Sequence, residues 1–249
     1  MEYNPFTLKG KVILITGASS GIGRSTALEC SKMGAKLIIT GRNEERLQET
    51  YSALEGEEHI QIVADFSNDQ DLNNLVEKAT FIDGIVHCAG FTKPLPFQFV
   101  NEEDLIAIMK VNFIAPTLIS QKLLERKKIN KGASIVFISS ITGVYCTFFA
   151  QGLYSASKGA INGLIKNMAL ELAAKKIRVN SVCPGMIQTN ILESGIISAG
   201  QLEEDMKKYP LKRYGLPQEV AHAVIYLLSD ASSWVTGSNL LIDGGYTLL

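Results

Sequence analysis

Short apolar runs, many of them β-branched, alternate with longer amphipathic stretches along the whole chain. Strands that alternate with helices form βαβ crossovers, which place parallel strands in one sheet covered by helices on both faces. The strand runs are almost continuously apolar, as expected for strands buried on both sides. We therefore predict an α/β fold with a doubly wound, seven-stranded parallel sheet. The strand candidates are 11–16, 36–40, 60–64, 84–88, 134–139, 177–182 and 239–242, and the helical patterns lie near 22–33, 43–54, 69–79, 101–127, 153–175 and 217–229.

The pattern runs through the 249 residues without a repeat, a low-complexity stretch or a linker-like boundary. A chain of this length can remove roughly 70–75% of its unfolded surface from water, so we expect residues 1–249 to form one domain. Residues 184–210 break the rhythm and follow the end of a strand, where open α/β sheets bind ligands. We interpret the part at about 190–210 as a lid, with a surface insertion of no consequence as the alternative.

Charge and composition exclude several classes of protein. The 24 Lys and Arg nearly balance the 25 Asp and Glu, which argues against nucleic acid and anionic membranes as partners. Every apolar run is far shorter than a membrane span, and the N-terminus has no secretory pattern. Four cysteines without a CxxC pair fit a reducing compartment, so we expect a cytoplasmic protein. Three widely separated histidines lead us to expect no metal site.

The first strand candidate leads into a glycine-rich turn, TGASSGIG at 16–23, and then into a helix. Glycine supplies the positive φ of such a turn, and the amides at the helix start can face a pyrophosphate. A tight turn without a ligand is the alternative, but the position after the first strand favours a dinucleotide. No Lys-Ser or Lys-Thr follows, which excludes a nucleoside-triphosphate loop. The binding candidates here are Gly17, Ser19, Ser20, Gly21, Ile22 and Gly23.

The end of the second strand candidate indicates which dinucleotide binds. An NAD site normally has an acidic residue there, whereas this chain has Gly41 followed by Arg42. Because a guanidinium can bind a 2′-phosphate, we predict NADP(H) in preference to NAD(H); a solvated Arg42 is the alternative. Asp65, after the third strand candidate, is a candidate contact for the adenine edge, or alternatively an acid near a helix N-cap. Phe66 beside it is a further candidate cofactor contact.

Candidate catalytic side chains occur at the start of the fifth helical pattern. Tyr154 and Lys158 are four residues apart, so they share one helix face with Cβ atoms ~5–6 Å apart. A neighbouring ammonium favours phenolate, so we expect Lys158 to lower the phenol pKa from its ordinary value of ~10. A chance Tyr-x-x-x-Lys spacing is the alternative.

Two polar residues upstream can complete such a site. Ser140 follows the fifth strand candidate, where a hydroxyl can bind a substrate carbonyl, and Ser139 is the alternative residue. Asn112 lies inside an apolar helical run and is either functional or a satisfied buried amide. Pro116 just beyond it indicates a local kink.

This ordered set of motifs resembles the short-chain dehydrogenase/reductase family, in its short single-domain branch. The resemblance covers about 9–249 and rests on TGASSGIG, Asn112, Ser140, the Tyr154–Lys158 pair and Pro184-Gly185. It implies a Rossmann-type domain and hydride transfer between a nicotinamide and a carbonyl or secondary alcohol. A non-catalytic dinucleotide sensor on the same fold is the competing class, and an isomerase or dehydratase is a third.

The resemblance also assigns roles to individual residues. Tyr154 would be the general acid in carbonyl reduction and the general base in alcohol oxidation. Lys158 would lower the Tyr154 pKa and hold the nicotinamide ribose, and Ser140 would orient the carbonyl. Asn112 would support a water-mediated proton relay to Lys158.

Further cofactor contacts are implied in two loops. In the first, the family often has Asn-Ala-Gly where this chain has Cys88, Ala89 and Gly90. We interpret Cys88 as a tolerated replacement, because a buried free thiol is usually inert. The second loop contributes Pro184, Gly185, the backbone of Ile187 and the hydroxyl of Thr189 around the carboxamide.

The C-terminal part resembles bacterial members such as 3-oxoacyl-[acyl-carrier-protein] reductases, which reduce a β-keto thioester with NADPH and are typically tetramers. The resemblance implies a homotetramer and a small carbonyl or alcohol substrate that an acyl carrier protein could carry, although sugar, polyol and steroid substrates use the same scaffold. Aromatic residues at 144–149 favour an apolar or ring-containing substrate, with loop or oligomer packing as the alternative. A basic surface could receive the carrier, with solvated helix ends as the alternative; its residues are Arg126, Lys127, Lys128, Lys131, Lys175 and Lys176.

Overall fold

Seven parallel strands form the centre of the protein in its computed structural model, which describes residues 3–189 and 199–248. The strands are β1 (Val12–Thr16), β2 (Lys36–Gly41), β3 (Ile60–Val63), β4 (Ile82–His87), β5 (Ile129–Ile138), β6 (Arg178–Pro184) and β7 (Asn239–Ile242). Their order in the sheet is β3-β2-β1-β4-β5-β6-β7. β2 and β3 are added on one side of β1, whereas β4 and the later strands are added on its other side. This switch in strand order opens a crevice at the carboxyl ends of β1 and β4.

Helices cover both faces of the sheet. They are α1 (Gly21–Lys32), α2 (Glu44–Ser52), α3 (Asp69–Lys78), α4 (Glu102–Met109), α5 (Ala115–Glu125), α6 (Gly152–Leu172), α7 (Ala199–Met206) and α8 (Pro217–Leu228). Asparagine side chains cap three of the helix starts, because Asn43, Asn68 and Asn101 accept backbone N–H groups of α2, α3 and α4. No helix of the described residues is long and apolar enough to cross a membrane.

Two separate cores lie on the two faces of the sheet. Successive strand residues point to opposite faces, so Leu14 of β1 joins the core under α3, α5 and α6, while Ile15 joins the core under α1, α2 and α8. The register keeps each set aligned, since Ile15 lies between Ile39 of β2 and Val86 of β4. The predicted doubly wound fold is thereby confirmed.

The structure differs from the predicted elements in two places. β5 begins at Ile129, earlier than predicted. Its pairing with β4 is irregular between the pair Ile82–Ile129 and the pair Gly84–Ser134, and part of the strand between these pairs is exposed, so the apolar pattern does not mark this start. The single helical pattern at 101–127 is divided by a π-helical turn, Lys110–Ile114. Pro116 has no N–H to donate to the preceding turn, which fits a change in helical hydrogen bonding there, while the predicted kink stays a prediction. Of the predicted lid, residues 190–198 lie outside the described residues, and α7 follows them.

Candidate active site

The glycine-rich turn after β1 packs closely against the end of β4. Gly17 has a φ of +69°, and a Cβ there would lie 2.8 Å from the backbone nitrogen of Ala89. A Cβ on Gly23 would lie 2.2 Å from the Gly17 carbonyl oxygen. The Thr16 hydroxyl accepts the Cys88 and Ala89 amides at 3.1 and 3.2 Å and joins the two strand ends. Both glycines are therefore required by contacts between backbones.

The start of α1 fits a pyrophosphate. Ser20 precedes the helix without a side-chain cap bond, and the first turn contains no acidic residue. The backbone N–H groups at this helix start are therefore available to bind an anion, and the helix dipole also favours a negative charge there. Thr189 reaches the same place, because its Cγ2 would lie 3.3 Å from a Cβ on Gly21. A cavity of about 380 Å³ adjoins this helix start and is lined by residues that include Ser19, Ser20, Gly21, Arg24 and Thr189.

The end of β2 has room for an adenosine. Gly41 packs so closely on the glycine turn that a Cβ would lie 3.0 Å from the Ser19 hydroxyl oxygen. Arg42 is exposed, and it lines a surface cavity of about 670 Å³ together with Asp65, Phe91 and other residues. The prediction that these two groups flank an adenosine is compatible with their shared cavity.

Asp65 caps its own turn and not helix α3. Its Oδ1 accepts the Ser67 backbone N–H at 2.9 Å and the Ser67 hydroxyl at 2.8 Å, and these bonds lower the pKa of the carboxyl. The N-cap of α3 is Asn68, which accepts the Gln70 amide. Asp65 therefore lies just before the N-cap of α3, which agrees with the alternative interpretation of an acid near a helix N-cap, although it does not cap the helix itself. Phe66 is buried in the core, so its backbone is what a cofactor could meet.

Tyr154 and Lys158 lie in the first two turns of α6, at the carboxyl end of β5. The Lys158 ammonium nitrogen is 5.5 Å from the centre of the Tyr154 ring and donates to the Ile138 carbonyl at 2.8 Å. The Ser140 hydroxyl oxygen accepts the Thr142 amide at 3.0 Å and lies near enough to the Tyr154 phenol to act on its pKa. The structure thus brings the predicted Ser140, Tyr154 and Lys158 into one cluster.

Burial controls the titration of this cluster. It raises the pKa of the Tyr154 phenol, which the Ser140 hydroxyl only partly offsets. It also lowers the pKa of Lys158 from 10.5 to about 8. The expected lowering of the Tyr154 pKa is therefore wrong for this arrangement, in which burial of the phenol sets the direction of the shift. The phenol holds its proton at neutral pH.

Ser139 serves a structural network, which separates it from Ser140. Its hydroxyl oxygen accepts the Asn162 side-chain amide at 2.6 Å, and the same amide donates to the Lys158 carbonyl. The Ser181 hydroxyl donates to the side-chain oxygen Oδ1 of Asn162 at 3.1 Å. Asn162, one turn beyond Lys158, thereby joins α6 to β5 and β6. Its place at i+4 from the lysine is the signal that could have identified it.

Asn112 points inward from the π-helical turn and is 2% exposed. Its Oδ1 accepts the Phe91 amide at 3.0 Å, and its Nδ2 donates to the Phe91 carbonyl at 2.9 Å and the Ser157 hydroxyl at 3.0 Å. A Cβ on Gly90 would lie 3.1 Å from Oδ1 and 3.7 Å from the Lys158 nitrogen. Asn112 therefore fixes the loop after β4 beside Lys158, while its relay role stays a prediction.

His87 and Cys88 are adjacent residues at the end of β4. The His87 ring is buried, lies 2.9 Å from the Ser120 hydroxyl and stacks on Phe137. Burial raises the pKa of the Cys88 thiol to about 12, which keeps it neutral as expected of an inert replacement. Within residues 3–189 and 199–248, no group of three potential metal ligands forms.

The loop 184–189 follows β6 and packs on the C-terminal turn. Pro184 is buried at the strand end, and a Cβ on Gly185 would lie 3.0 Å from the Asp243 Cα. Ile187 pairs with Gly215, where an added Cβ would lie 2.6 Å from the isoleucine side chain. These contacts fix the backbone that runs from β6 to Thr189 beside α1.

The basic surface singled out in the sequence lies far from this site in the same chain. Residues 126–131 precede or begin β5, and Lys175 and Lys176 precede β6, so these residues lie at the amino-terminal ends of the strands. Helix α6 is 21 residues long and begins beside Tyr154, so its length separates Tyr154 from the amino-terminal ends of the strands by about 30 Å. Lys128 donates to three carbonyls near the end of α3. A carrier bound there would not face the Tyr154 of the same chain.

The aromatic residues at 144–149 divide between packing and exposure. The Phe148 ring lies 5.8 Å from the ring of Tyr246, and the Tyr145 hydroxyl donates to the Asn239 carbonyl at 3.5 Å. Phe149 is 87% exposed. Loop packing therefore accounts for part of the Phe148 surface, while Tyr145 and Phe148 stay partly exposed and Phe149 is the most exposed of the three rings.

Comparison with known proteins assigns the class. A family model described as enoyl-(acyl carrier protein) reductase matches residues 17–247. The chain is 34% identical to a 3-oxoacyl-[acyl-carrier-protein] reductase of Rickettsia conorii, over 97% of this chain and 99% of that protein. The chain belongs to the short-chain dehydrogenase/reductase family of oxidoreductases, as its motifs predict.

Relatives within the family carry different activities in their names. The chain is 36% identical to a 3-oxoacyl-[acyl-carrier-protein] reductase of Thermotoga maritima (97% of this chain, 99% of that protein) and 36% identical to a glucose 1-dehydrogenase of Gluconobacter oxydans (96% and 92%). A crystal structure from Agrobacterium tumefaciens, provisionally named a gluconate dehydrogenase, superposes with a TM-score of 0.89 at 26% identity, covering 99% of this chain and all of that one. Fold and family thus agree, whereas the substrates differ.

Proposed function

We propose that the protein is an NADP(H)-dependent ketoreductase that reduces a 3-oxoacyl thioester to the 3-hydroxyacyl thioester. The observation that carries this proposal is the cluster of Ser140, Tyr154 and Lys158, whose protonated phenol is suited to give a proton to a carbonyl oxygen. Two of the relatives described above are named as reductases of this substrate class.

The dinucleotide is expected to bind across the crevice. The uncapped start of α1 can take the pyrophosphate, and Gly17 and Gly23 let the turn before this helix fold tightly against the end of β4 and against its own backbone. When bound, the nicotinamide supplies the hydride that reduces the carbonyl carbon. We expect the loop with Ile187 and Thr189 to meet the nicotinamide end.

The preference for NADP(H) rests on Arg42. The chain has Gly41 where an acidic residue would repel a 2′-phosphate, and the exposed guanidinium next to it is free to bind one. Measuring kcat/KM with NADPH and with NADH tests the preference. A higher value with NADH would contradict it.

Each side chain of the cluster has a defined task in reduction. Ser140 donates a hydrogen bond to the substrate carbonyl oxygen, and Tyr154 gives the same oxygen its proton as the hydride arrives at carbon. Lys158, whose pKa lies at about 8, is largely charged at neutral pH and stabilises the phenolate that remains. Asn112 holds the loop beside this lysine through its bonds to Phe91.

A substrate screen decides between this reaction and its alternatives. NADPH oxidation is followed with β-keto thioesters, free and on an acyl carrier protein, and with β-keto esters, diketones, ketoses and steroid ketones. We expect the thioesters to give the highest kcat/KM. A preference for sugars would favour the reading suggested by the glucose 1-dehydrogenase relative. Tight NADPH binding without turnover of any substrate would instead indicate a dinucleotide sensor.

We further propose that the chain forms one domain, acts in the cytoplasm and assembles as a homotetramer. Large apolar side chains supply surface for contacts between copies, among them Phe97 and Trp234, which are 88% and 99% exposed. Light scattering coupled to gel filtration should give a mass about four times 27.1 kDa. A mass near 27.1 kDa would contradict the assembly.

A further inference from the structure

A segment after α7 contacts the loop 186–189 at two points. The Tyr209 hydroxyl oxygen accepts the Met186 backbone N–H at 3.2 Å. Six residues later, Gly215 accepts the Gln188 N–H at 2.8 Å and donates its own N–H to the Met186 carbonyl at 3.0 Å. The backbone of this loop is therefore held from one side by a tyrosine hydroxyl and from the other by a glycine backbone.

Packing fixes the position of the Tyr209 ring. The side chain is 3% exposed, and its ring centre lies 4.8 Å from that of Tyr246 and 5.5 Å from that of Tyr214, edge to face. A Cβ on Gly244 would approach the ring to 3.4 Å. Burial raises the pKa of Tyr209 to about 12, so the hydroxyl is neutral under ordinary conditions. A ring held in this way presents its oxygen to one defined point of the loop.

Tyr214 has a different task although its burial is the same. Its hydroxyl donates to the Asp205 carboxylate at 2.9 Å and to the Leu202 carbonyl at 3.3 Å, both in α7. The two tyrosines therefore separate two connections. Tyr209 holds the loop after β6, and Tyr214 holds α7.

We propose that Tyr209 is a positioning residue, whose hydroxyl fixes the Met186 amide and with it the loop backbone that receives the nicotinamide end of the cofactor. The proposal rests on the proposed function, because it takes this loop as the nicotinamide contact. Removing the hydroxyl leaves a partly buried N–H without its acceptor. The loop then has to be ordered when the cofactor binds, which costs affinity for the nicotinamide half alone.

The test compares Tyr209→Phe with the matched control Tyr214→Phe, since each variant loses one hydroxyl and keeps its ring. Calorimetry measures the Kd of NADPH and of adenosine 2′,5′-bisphosphate, which lacks the nicotinamide half. In Tyr209→Phe we expect NADPH to bind about tenfold more weakly and the bisphosphate as in the wild type. In Tyr214→Phe we expect both values to stay within about twofold of the wild type. Thermal melting checks that both variants fold.

Three results would overturn the positioning role: unchanged NADPH binding in Tyr209→Phe, equal weakening of both ligands, or the same selective loss in Tyr214→Phe. If the wild type prefers NADH, the comparison is made with NADH and 5′-AMP, so that a wrong cofactor preference does not affect this proposal. A wild-type protein that binds neither dinucleotide would refute the proposed function together with the role of Tyr209.

Discussion

Lys158 is a buried cation whose removal should stabilise the fold while it abolishes activity. The side chain is 6% exposed, and within the described residues no carboxylate pairs with it. Its ammonium donates to the Ile138 carbonyl, which does not neutralise the charge. A fold that buries such a group gives up stability for the site.

The size of this cost follows from the pKa. Burial lowers the Lys158 value from 10.5 to about 8, and one pKa unit corresponds to ~1.4 kcal/mol, so the charged form costs about 3 kcal/mol at pH 7. Lys158→Met keeps an unbranched side chain but loses the hydrogen bond to Ile138, worth about 1 kcal/mol. We expect the variant to be about 2 kcal/mol more stable at pH 7 and inactive.

The sign of the pH dependence is fixed by the lowered pKa. Below pH 8, Lys158 is charged in both the folded and the unfolded protein, and the wild type bears the full cost. Between pH 8 and 10.5 the folded protein loses this proton first, so wild-type stability rises relative to the variant. The advantage of Lys158→Met should therefore shrink across this interval.

Urea unfolding followed by circular dichroism at pH 7 and pH 9.5 measures both quantities, and other titrating groups cancel in the comparison. The control is Lys166→Met, because Lys166 is exposed on the same helix and its loss should change stability by less than about 0.5 kcal/mol. A Lys158→Met variant that is destabilised at pH 7, or that keeps the same difference from the wild type at both pH values, refutes the reasoning.

Three further substitutions probe the site. Tyr154→Phe should abolish turnover and leave NADPH affinity near normal, as measured by steady-state kinetics and fluorescence titration; retained activity would remove the phenol from the mechanism. Arg42→Ala should weaken NADPH about tenfold or more while hardly changing NADH, and equal losses by calorimetry would contradict a 2′-phosphate contact. Gly23→Ala places its Cβ 2.2 Å from the Gly17 carbonyl oxygen and should lower the melting temperature and the NADPH affinity. The control Gly163→Ala meets no atom within 4 Å and should gain up to about 1 kcal/mol of stability. A Gly23→Ala variant with unchanged melting temperature and affinity would show that the turn can open.

The architecture was predictable from the sequence because it depends on local periodicity. Continuous apolar runs identify doubly buried strands, and the helical patterns between them fix the crossover connections. The glycine turn was predictable from its position after the first strand, and Gly23 acts within that turn, whereas the contact of Gly17 with Ala89 at the end of β4 depends on the tertiary fold. Tyr154 and Lys158 share a helix face at any i and i+4 spacing, which needs no knowledge of tertiary contacts.

Features that depend on distant parts of the chain were not predictable in this way. Tyr209 is ordinary in the sequence, and its contact with Met186 exists because α7 and the C-terminal turn place both residues together. The basic residues at 126–131 and 175–176 look like one surface suited to a carrier, but the parallel sheet places them at the amino-terminal ends of the strands, whereas Tyr154 lies at the carboxyl ends. Sequence spacing alone shows neither the end of the strands at which a residue lies nor the distant side chain that it contacts.

The direction of the Tyr154 pKa shift shows why geometry along one helix is not enough. Spacing places an ammonium beside the phenol and predicts a lowered pKa, whereas burial desolvates both groups, raises the phenol pKa and lowers that of Lys158. A phenol that keeps its proton is the acid that carbonyl reduction needs, while alcohol oxidation needs the phenolate. The raised phenol pKa is therefore consistent with the proposed reduction, and we expect oxidation to gain relative to reduction as the pH rises.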